Sequence, residues 1–255
     1  MSADAKFTAE NLLSIRPWAP NLFSFRMTRG SSFRFVPGQF ARIGVAAADP
    51  EKVVWRAYSV ASAADAPFLE FFSIVVPGGE FSPALARLPV GGTVYLERTN
   101  YGFLTLERFE PARDLWMLCT GTGLAPFLSI LREGATWSAY RNVVVVQSVR
   151  YGNELAYVDE LRSLGHAAAG KATLHHIPVV TRQDHSGALK ARIPALLENG
   201  ALEAHVGLQI EPAASRVLVC GNPEMIGTTR KMLAERGLAP SRRGKPGQLA
   251  VENYW

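Results

Sequence analysis

Only two cysteines, Cys119 and Cys220, occur in 255 residues. That is too few for the four thiolates of an iron–sulfur cluster or a structural zinc site, so no metal centre is expected and any electron transfer must use another cofactor. No apolar run approaches the roughly 18 residues that a membrane span needs, and Met1–Thr8 lacks the apolar stretch of a leader. A soluble, cytoplasmic chain with two buried thiols and no membrane partner is therefore expected. The basic residues are scattered apart from Arg242, Arg243 and Lys245, so the Lys/Arg-rich arm of a DNA-binding protein is missing and no nucleic-acid partner is expected. Internal repeats and low-complexity tracts are absent too.

What is present can build a sizeable core. Hydrophobic residues make up 48% of the chain and charged residues 19%, which excludes disorder. Lys and Arg outnumber Asp and Glu by 27 to 22, and with a pI near 9.4 the net charge of +5 invites a nucleic-acid, anionic-membrane or acidic-protein partner and by itself prefers none.

The hydrophobic pattern divides the chain at about residue 105. Before it, short runs at Leu22–Arg26, Phe40–Val45, Phe68–Val76 and Thr93–Arg98, separated by turn residues, predict a small antiparallel β-barrel or sandwich over 1–105. One short helix interrupts it, and Ser82-Pro83 reads as its start, with serine at the N-cap and proline in the first turn. The stretch Leu106–Arg113, charged and containing Pro111, reads as a linker. From Asp114 onward apolar strands alternate with helical periods: Leu115–Cys119 then Leu124–Arg132, Val143–Val149 then Glu154–Leu164, Thr173–Val180 then Ile193–Glu198, Arg216–Cys220 then Glu224–Arg236. Leu249–Glu252 supplies a last strand. This predicts an α/β domain over 106–255 with a parallel sheet covered on both faces, whose ligands bind beyond the carboxyl ends of the strands.

The turns at those strand ends carry the chemistry. The first reads Cys119-Thr-Gly-Thr-Gly-Leu-Ala-Pro126, where glycines let a phosphate approach backbone amides at a helix start. Arg150 and Arg182 stand just past the next strand ends and Arg192 slightly later, a set of guanidiniums suited to phosphate. The second strand ends Gln147-Ser148-Val149-Arg150, without the acid that usually meets the NAD ribose, which favours NADP. In the β domain, Arg56-Ala57-Tyr58-Ser59 ends a strand with a cation, an aromatic face and a hydroxyl. Backbone amides near Phe81 and Ser82 suggest a second anion site. At the chain end an aromatic pair, Tyr254 and Trp255, needs a partner to cover it.

Taken in order, Arg-x-Tyr-Ser, Gly-x-x-Ser-Pro, Gly-Thr-Gly-x-x-Pro, Cys-Gly-Asn-Pro and Val-Glu-x-Tyr-Trp resemble the motifs of bacterial ferredoxin/flavodoxin–NADP reductases, over essentially the whole chain. The resemblance implies an FAD-binding β-barrel followed by an NADP-binding α/β domain whose tail returns to the FAD. It implies an oxidoreductase that takes hydride from NADPH and passes single electrons to ferredoxin or flavodoxin, working as a monomer. By the same resemblance, Arg56, Ala57, Tyr58, Ser59, Ser73, Ile74, Val75, Glu80, Phe81 and Ser82 border the FAD, with Tyr58 on the isoalloxazine and Ser59 near its N5. Thr122, Gly123 and Cys220 border the nicotinamide, Arg150 contacts phosphate, Arg182 and Arg192 read the adenosine 2′-phosphate, and Thr181, Gly221 and Asn222 also bind cofactor. Tyr254 and Trp255 stack on the FAD. Ser59, Cys220 and Glu252 are the implied catalytic residues.

Overall fold

The computed structural model describes residues 6–46 and 52–253. Its first half is an antiparallel sheet of β1 (Phe7–Ala19), β2 (Leu22–Thr28), β3 (Phe40–Ala46), β4 (Val53–Ser59), β5 (Phe68–Ile74) and β6 (Thr93–Tyr101), in the order β4-β3-β6-β1-β2-β5. A bridge between Val60 and Phe71 joins the two outer strands and closes the sheet into a barrel, which removes its open edges. Aromatic and branched side chains fill the interior, with Phe25 stacked on Phe71 at 5.3 Å and Ile43, Leu69, Val94 and Leu96 packed around them. Strand β2 does not alternate between buried and exposed: Leu22, Phe23, Ser24 and Phe25 are all buried. The outward face of β2 and β5 is covered by the second half of the chain, since Leu22 and Phe72 belong to that half's core.

The second half is a parallel sheet of β7 (Asp114–Thr120), β8 (Asn142–Val149), β9 (Thr173–Val180), β10 (Ser215–Gly221) and β11 (Leu249–Asn253), in the order β11-β10-β7-β8-β9. With α1 (Phe81–Arg87) in the barrel, the remaining helices are α2 (Ala125–Leu131), α3 (Gly134–Ala139), α4 (Val158–Ala167), α5 (Ile193–Glu198), α6 (Ala201–Val206) and α7 (Pro223–Glu235). Successive strand residues feed opposite faces: Leu115, Met117, Val143 and Val145 lie in one core, Trp116, Leu118, Val144 and Val146 in the other. Near-continuous apolar strands are what such two-sided burial demands. No helix among the described residues is long and apolar enough to cross a membrane.

Two local readings need correction. The α1 helix begins at Phe81 with Glu80 as its flanking residue, so Ser82 is not an N-cap. The Ser82 hydroxyl instead accepts from the Val76 amide at 2.8 Å, tying the helix to the loop before it. The helical period expected from Glu154 splits into a 3-10 turn over Gly152–Glu154 and α4 from Val158. The Glu154 carboxylate turns back to accept from the amides of Arg150 and Tyr151, which closes the turn. The stretch Leu106–Arg113 likewise contains a 3-10 turn, Leu106–Arg108.

Candidate active site

Strand ends from both halves meet here. Ser59 closes β4, and its hydroxyl donates to Glu252 Oε1 on β11 at 3.0 Å. Glu252 sits opposite Cys220 in the parallel register of β10 and β11, and Cys220 in turn sits opposite Cys119 on β7. Both cysteines are buried and neither is in a disulfide. Gly102, with a φ of +100°, leaves room for the carboxylate: a Cβ there would lie 2.8 Å from Glu252 Oε2 and 3.0 Å from the Phe40 ring. Burial pushes the Glu252 carboxyl up to about 7, against the pull of the Ser59 hydrogen bond.

Beside this pair the Tyr58 ring is fixed on several sides. Its hydroxyl pairs with Ser73 Oγ at 2.9 Å, and its ring packs on Phe81 at 5.4 Å and edge-on to Phe25 at 6.1 Å. Burial raises the phenol above its ordinary value, so it stays a neutral, stationary wall. Arg56 and Ala57 are exposed on the same strand, and the guanidinium donates to the Trp55 carbonyl at 2.8 Å. Ser73 and Ser82 are buried, Ile74 and Val75 half-buried, Glu80 exposed.

Across the cleft, Thr122 and Gly123 are buried in a 3-10 turn, Gly121–Leu124, that runs straight into α2 with Pro126 in its first turn. A Cβ on Gly123 would strike the Cys220 carbonyl, so the turn rests on the end of β10. Gly221 adopts a φ of +131° against Thr120. Thr120 Oγ1 accepts from the Asn222 amide at 2.8 Å, and Asn222 Oδ1 caps α7 by accepting from Glu224 and Met225 at 3.0 and 3.2 Å. Thr120 thus locks the turns after β7 and β10 together.

The three arginines stand at one rim, though not alike. Beyond β8 and β9 the backbones stay zipped, with the Thr181 amide donating to the Val149 carbonyl and Arg182 to that of Arg150. Arg150 pairs with Glu154 at 3.2 Å, and Arg192, 78% exposed, lies 3.8 Å from Glu224. Arg182 is exposed and has no ion-pair partner among the described residues. Tyr254 and Trp255 lie outside the described residues.

Residues 17–101 match the oxidoreductase FAD-binding domain and residues 117–231 the oxidoreductase NAD-binding domain. A ferredoxin–NADP reductase A of Sorangium cellulosum is 38% identical, covering 96% of this chain and 89% of its own. A flavodoxin/ferredoxin–NADP reductase of Escherichia coli K12 is 36% identical over 98% of this chain and all of its own. The chain belongs to the ferredoxin/flavodoxin–NADP reductase family. A solved ferredoxin–NADP reductase of Neisseria gonorrhoeae with bound FAD and NADP superposes with a TM-score of 0.92 at 38% identity, covering 99% of this chain and all of that one. This reductase is accordingly an oxidoreductase of FAD and NADP.

Two contributions to the reductase site escape sequence reading. Thr120 lies within the glycine turn but looks like a strand residue. Gly102 has no motif around it, and its role depends on a carboxylate 150 positions away in the chain. Nor does local spacing signal the link between the halves described below, whose partners lie 62 to 87 residues apart.

Proposed function

We propose that this reductase takes hydride from NADPH and delivers electrons singly to ferredoxin or flavodoxin, as a cytoplasmic monomer with an FAD-binding half over 1–105 and an NADP-binding half over 106–255. The observation that carries the reading is the Ser59–Glu252 hydrogen bond, which brings a barrel strand and the last strand to one point across 193 residues. FAD, when bound, supplies the hydride acceptor and a means of releasing two electrons one at a time. The residues fit it: Tyr58 offers a fixed aromatic face, Ser59 a hydroxyl at its edge, and Arg56 with the Phe81 and Ser82 amides a cradle for pyrophosphate. Ser73, Ile74, Val75, Ala57 and Glu80 border that cradle.

On the other side Thr122, Gly123, Cys220, Gly221 and Asn222 frame the nicotinamide and exclude water. Arg150 receives phosphate, while Thr181, Arg182 and Arg192 read the adenosine 2′-phosphate. Glu252, its carboxyl up at about 7, can hold a proton near neutral pH while its Oε1 accepts from the Ser59 hydroxyl. Cys220 acts by shape, since it is fully buried and pairs in register with Glu252. Tyr254 and Trp255 complete the reading as the aromatic cover of the FAD.

Three results test it. Acid precipitation of the purified protein should release yellow FAD into the supernatant; FMN, or flavin left in the pellet, contradicts the assignment. Next, Glu252→Gln should be more stable than the parent above pH 7 and no different below pH 4.5. The native carboxyl, up at about 7, keeps a proton that the unfolded chain gives up from about 4.5, so parental stability falls as pH rises through that window, by about 3 kcal/mol at most. Thermal melts of both proteins across pH 4–9 measure it, and parallel curves refute it.

Third, a groove of about 400 Å³ that includes Gly102 and Phe103 carries three cations, Arg108, Arg242 and Lys245, against the one carboxylate of Glu107, which supports docking of an acidic carrier. With NADPH saturating, reduction of ferredoxin should slow markedly between 0.01 M and 0.15 M salt, as the Debye length falls from about 30 to about 8 Å. Reduction of a neutral quinone should change little. A carrier rate flat across that range removes charge from docking.

A further inference from the structure

A buried carboxylate on the outside of the barrel has no part in the chemistry above. Glu70, on β5, is 2% exposed. Its Oε2 accepts from Arg26 of the barrel at 2.8 Å, while its Oε1 accepts from the Tyr157 hydroxyl at 2.8 Å and lies 3.4 Å from the Arg132 guanidinium, both from the second half. Burial by itself would raise this carboxyl, but Arg132, Tyr157 and Arg26 together hold it below its ordinary value, so it is ionised at neutral pH.

Arg132 goes further. It follows the last residue of α2, donates to the Ala61 carbonyl at 2.7 Å, and pairs with Glu160 on α4 at 2.7 and 3.0 Å. Two more bonds fasten the same helix end to the same stretch of barrel: Ser129 Oγ donates to the Ser62 carbonyl at 2.7 Å, and the Ala64 amide donates to the Glu133 carboxylate at 2.7 Å. Tyr157 holds a left-handed φ of 62°, a costly conformation for a tyrosine. Tilted packing on Trp18 at 4.4 Å, edge contact with Phe72 at 5.3 Å and the bond to Glu70 keep it there.

The two ends of this clamp matter. The fastened segment, 61–64, directly follows Ser59. The fastened helix, α2, is only seven residues long, about 10 Å, and the other end of it is the Thr122–Gly123 turn. A shift of the helix at Arg132 is carried almost rigidly to the nicotinamide side, while 59–64 carries the flavin side.

We propose that Glu70, Arg132 and Tyr157 are positioning residues that set the approach of the Thr122–Gly123 turn to Ser59, and with it the hydride-transfer distance. The proposal rests on the functional reading above. Its chemistry follows from transfer being steeply sensitive to separation: a displacement of about 1 Å costs a factor on the order of a hundred.

The test uses the FAD-loaded full chain with Tyr157→Phe, which keeps both ring contacts and removes one hydrogen bond, and with Glu70→Gln, nearly isosteric but uncharged. NADPH oxidation by ferricyanide, which needs no docking surface, is measured in each. The expected result is a kcat about tenfold lower, with KM for NADPH within about twofold. The long-wavelength charge-transfer absorbance of nicotinamide stacked on flavin should weaken in both, and the double variant should be no worse than the poorer single, because one clamp is being cut twice.

A lower melting temperature with unchanged kcat and charge-transfer absorbance makes the clamp purely structural and overturns the proposal. A raised KM at unchanged kcat overturns it as well, as does full additivity in the double variant. If the parent protein itself oxidises no NADPH, the functional reading has failed and this one falls with it. A parent that turns over normally, with variants indistinguishable from it, rejects positioning alone.

Discussion

Replacing Arg182 and Arg192 together by alanine is expected to lower kcat/KM for NADPH about a hundredfold or more while leaving NADH within a few-fold. Only NADPH carries the 2′-phosphate, and a hydrogen bond to a charged group contributes roughly 1.5–3 kcal/mol, with a tenfold change for each 1.36 kcal/mol. Both side chains are exposed, which places each at the lower end of that range. Neither is committed elsewhere in a way that would mask the loss. The Arg192 contact with Glu224 spans 3.8 Å between two largely exposed groups and is worth little, so the guanidinium exchanges it for a dianionic phosphate at small cost. On the proposed assignment Arg150, already bonded to Glu154, meets phosphates common to both coenzymes, so Arg150→Ala should weaken NADPH and NADH alike. Steady-state kinetics of the double variant with each coenzyme decide the matter. Equal losses for both would reject the 2′-phosphate assignment.

A second large effect concerns the joint between the halves. Arg132→Ala should destabilise the protein by about 3–5 kcal/mol, because it strips a buried carboxylate, Glu70, of its cross-domain cation and leaves the Ala61 carbonyl without its donor. Against a total of roughly 5–15 kcal/mol for a folded protein, that is a large share. In a chain of this size it corresponds to a fall of about 10 °C in melting temperature. Arg162→Ala is the control: its pair with Asp159 is exposed on both sides and should cost no more than about 1 kcal/mol. Urea unfolding of the two variants beside the parent provides the comparison. A cost for Arg132→Ala as small as that of the control would mean the Glu70 site is wetter than its 2% exposure implies.

Much of this reductase can be read directly along the chain. Apolar runs such as Val143–Val149 reach their parallel-sheet positions because both faces of that sheet are covered, and continuous hydrophobicity has no other soluble use. The turn before α2 and the arginine closing β8 lie at the carboxyl ends of the parallel strands, a placement legible within a few consecutive residues. The run Leu22–Arg26 reads as a strand, but burial on both its faces does not, because Ser24 looks like a solvent position until the second half covers it. Ser82 with Pro83 carries the composition of a helix start, yet the Val76 amide competes for the hydroxyl and the helix begins two residues earlier, at Phe81.

What local spacing could not reveal are contacts between residues far apart in the chain. Ser59 meets Glu252, Glu70 meets Tyr157, and Gly102 must be glycine because a carboxylate from the last strand fills the space its side chain would need. Backbone propensity, hydrophobic period and turn chemistry act over a few residues and are written in sequence order. The raised carboxyl of Glu252 and the charge held on Glu70 arise from desolvation and from which groups the packed halves bring within hydrogen-bonding reach, so tertiary structure alone decides them.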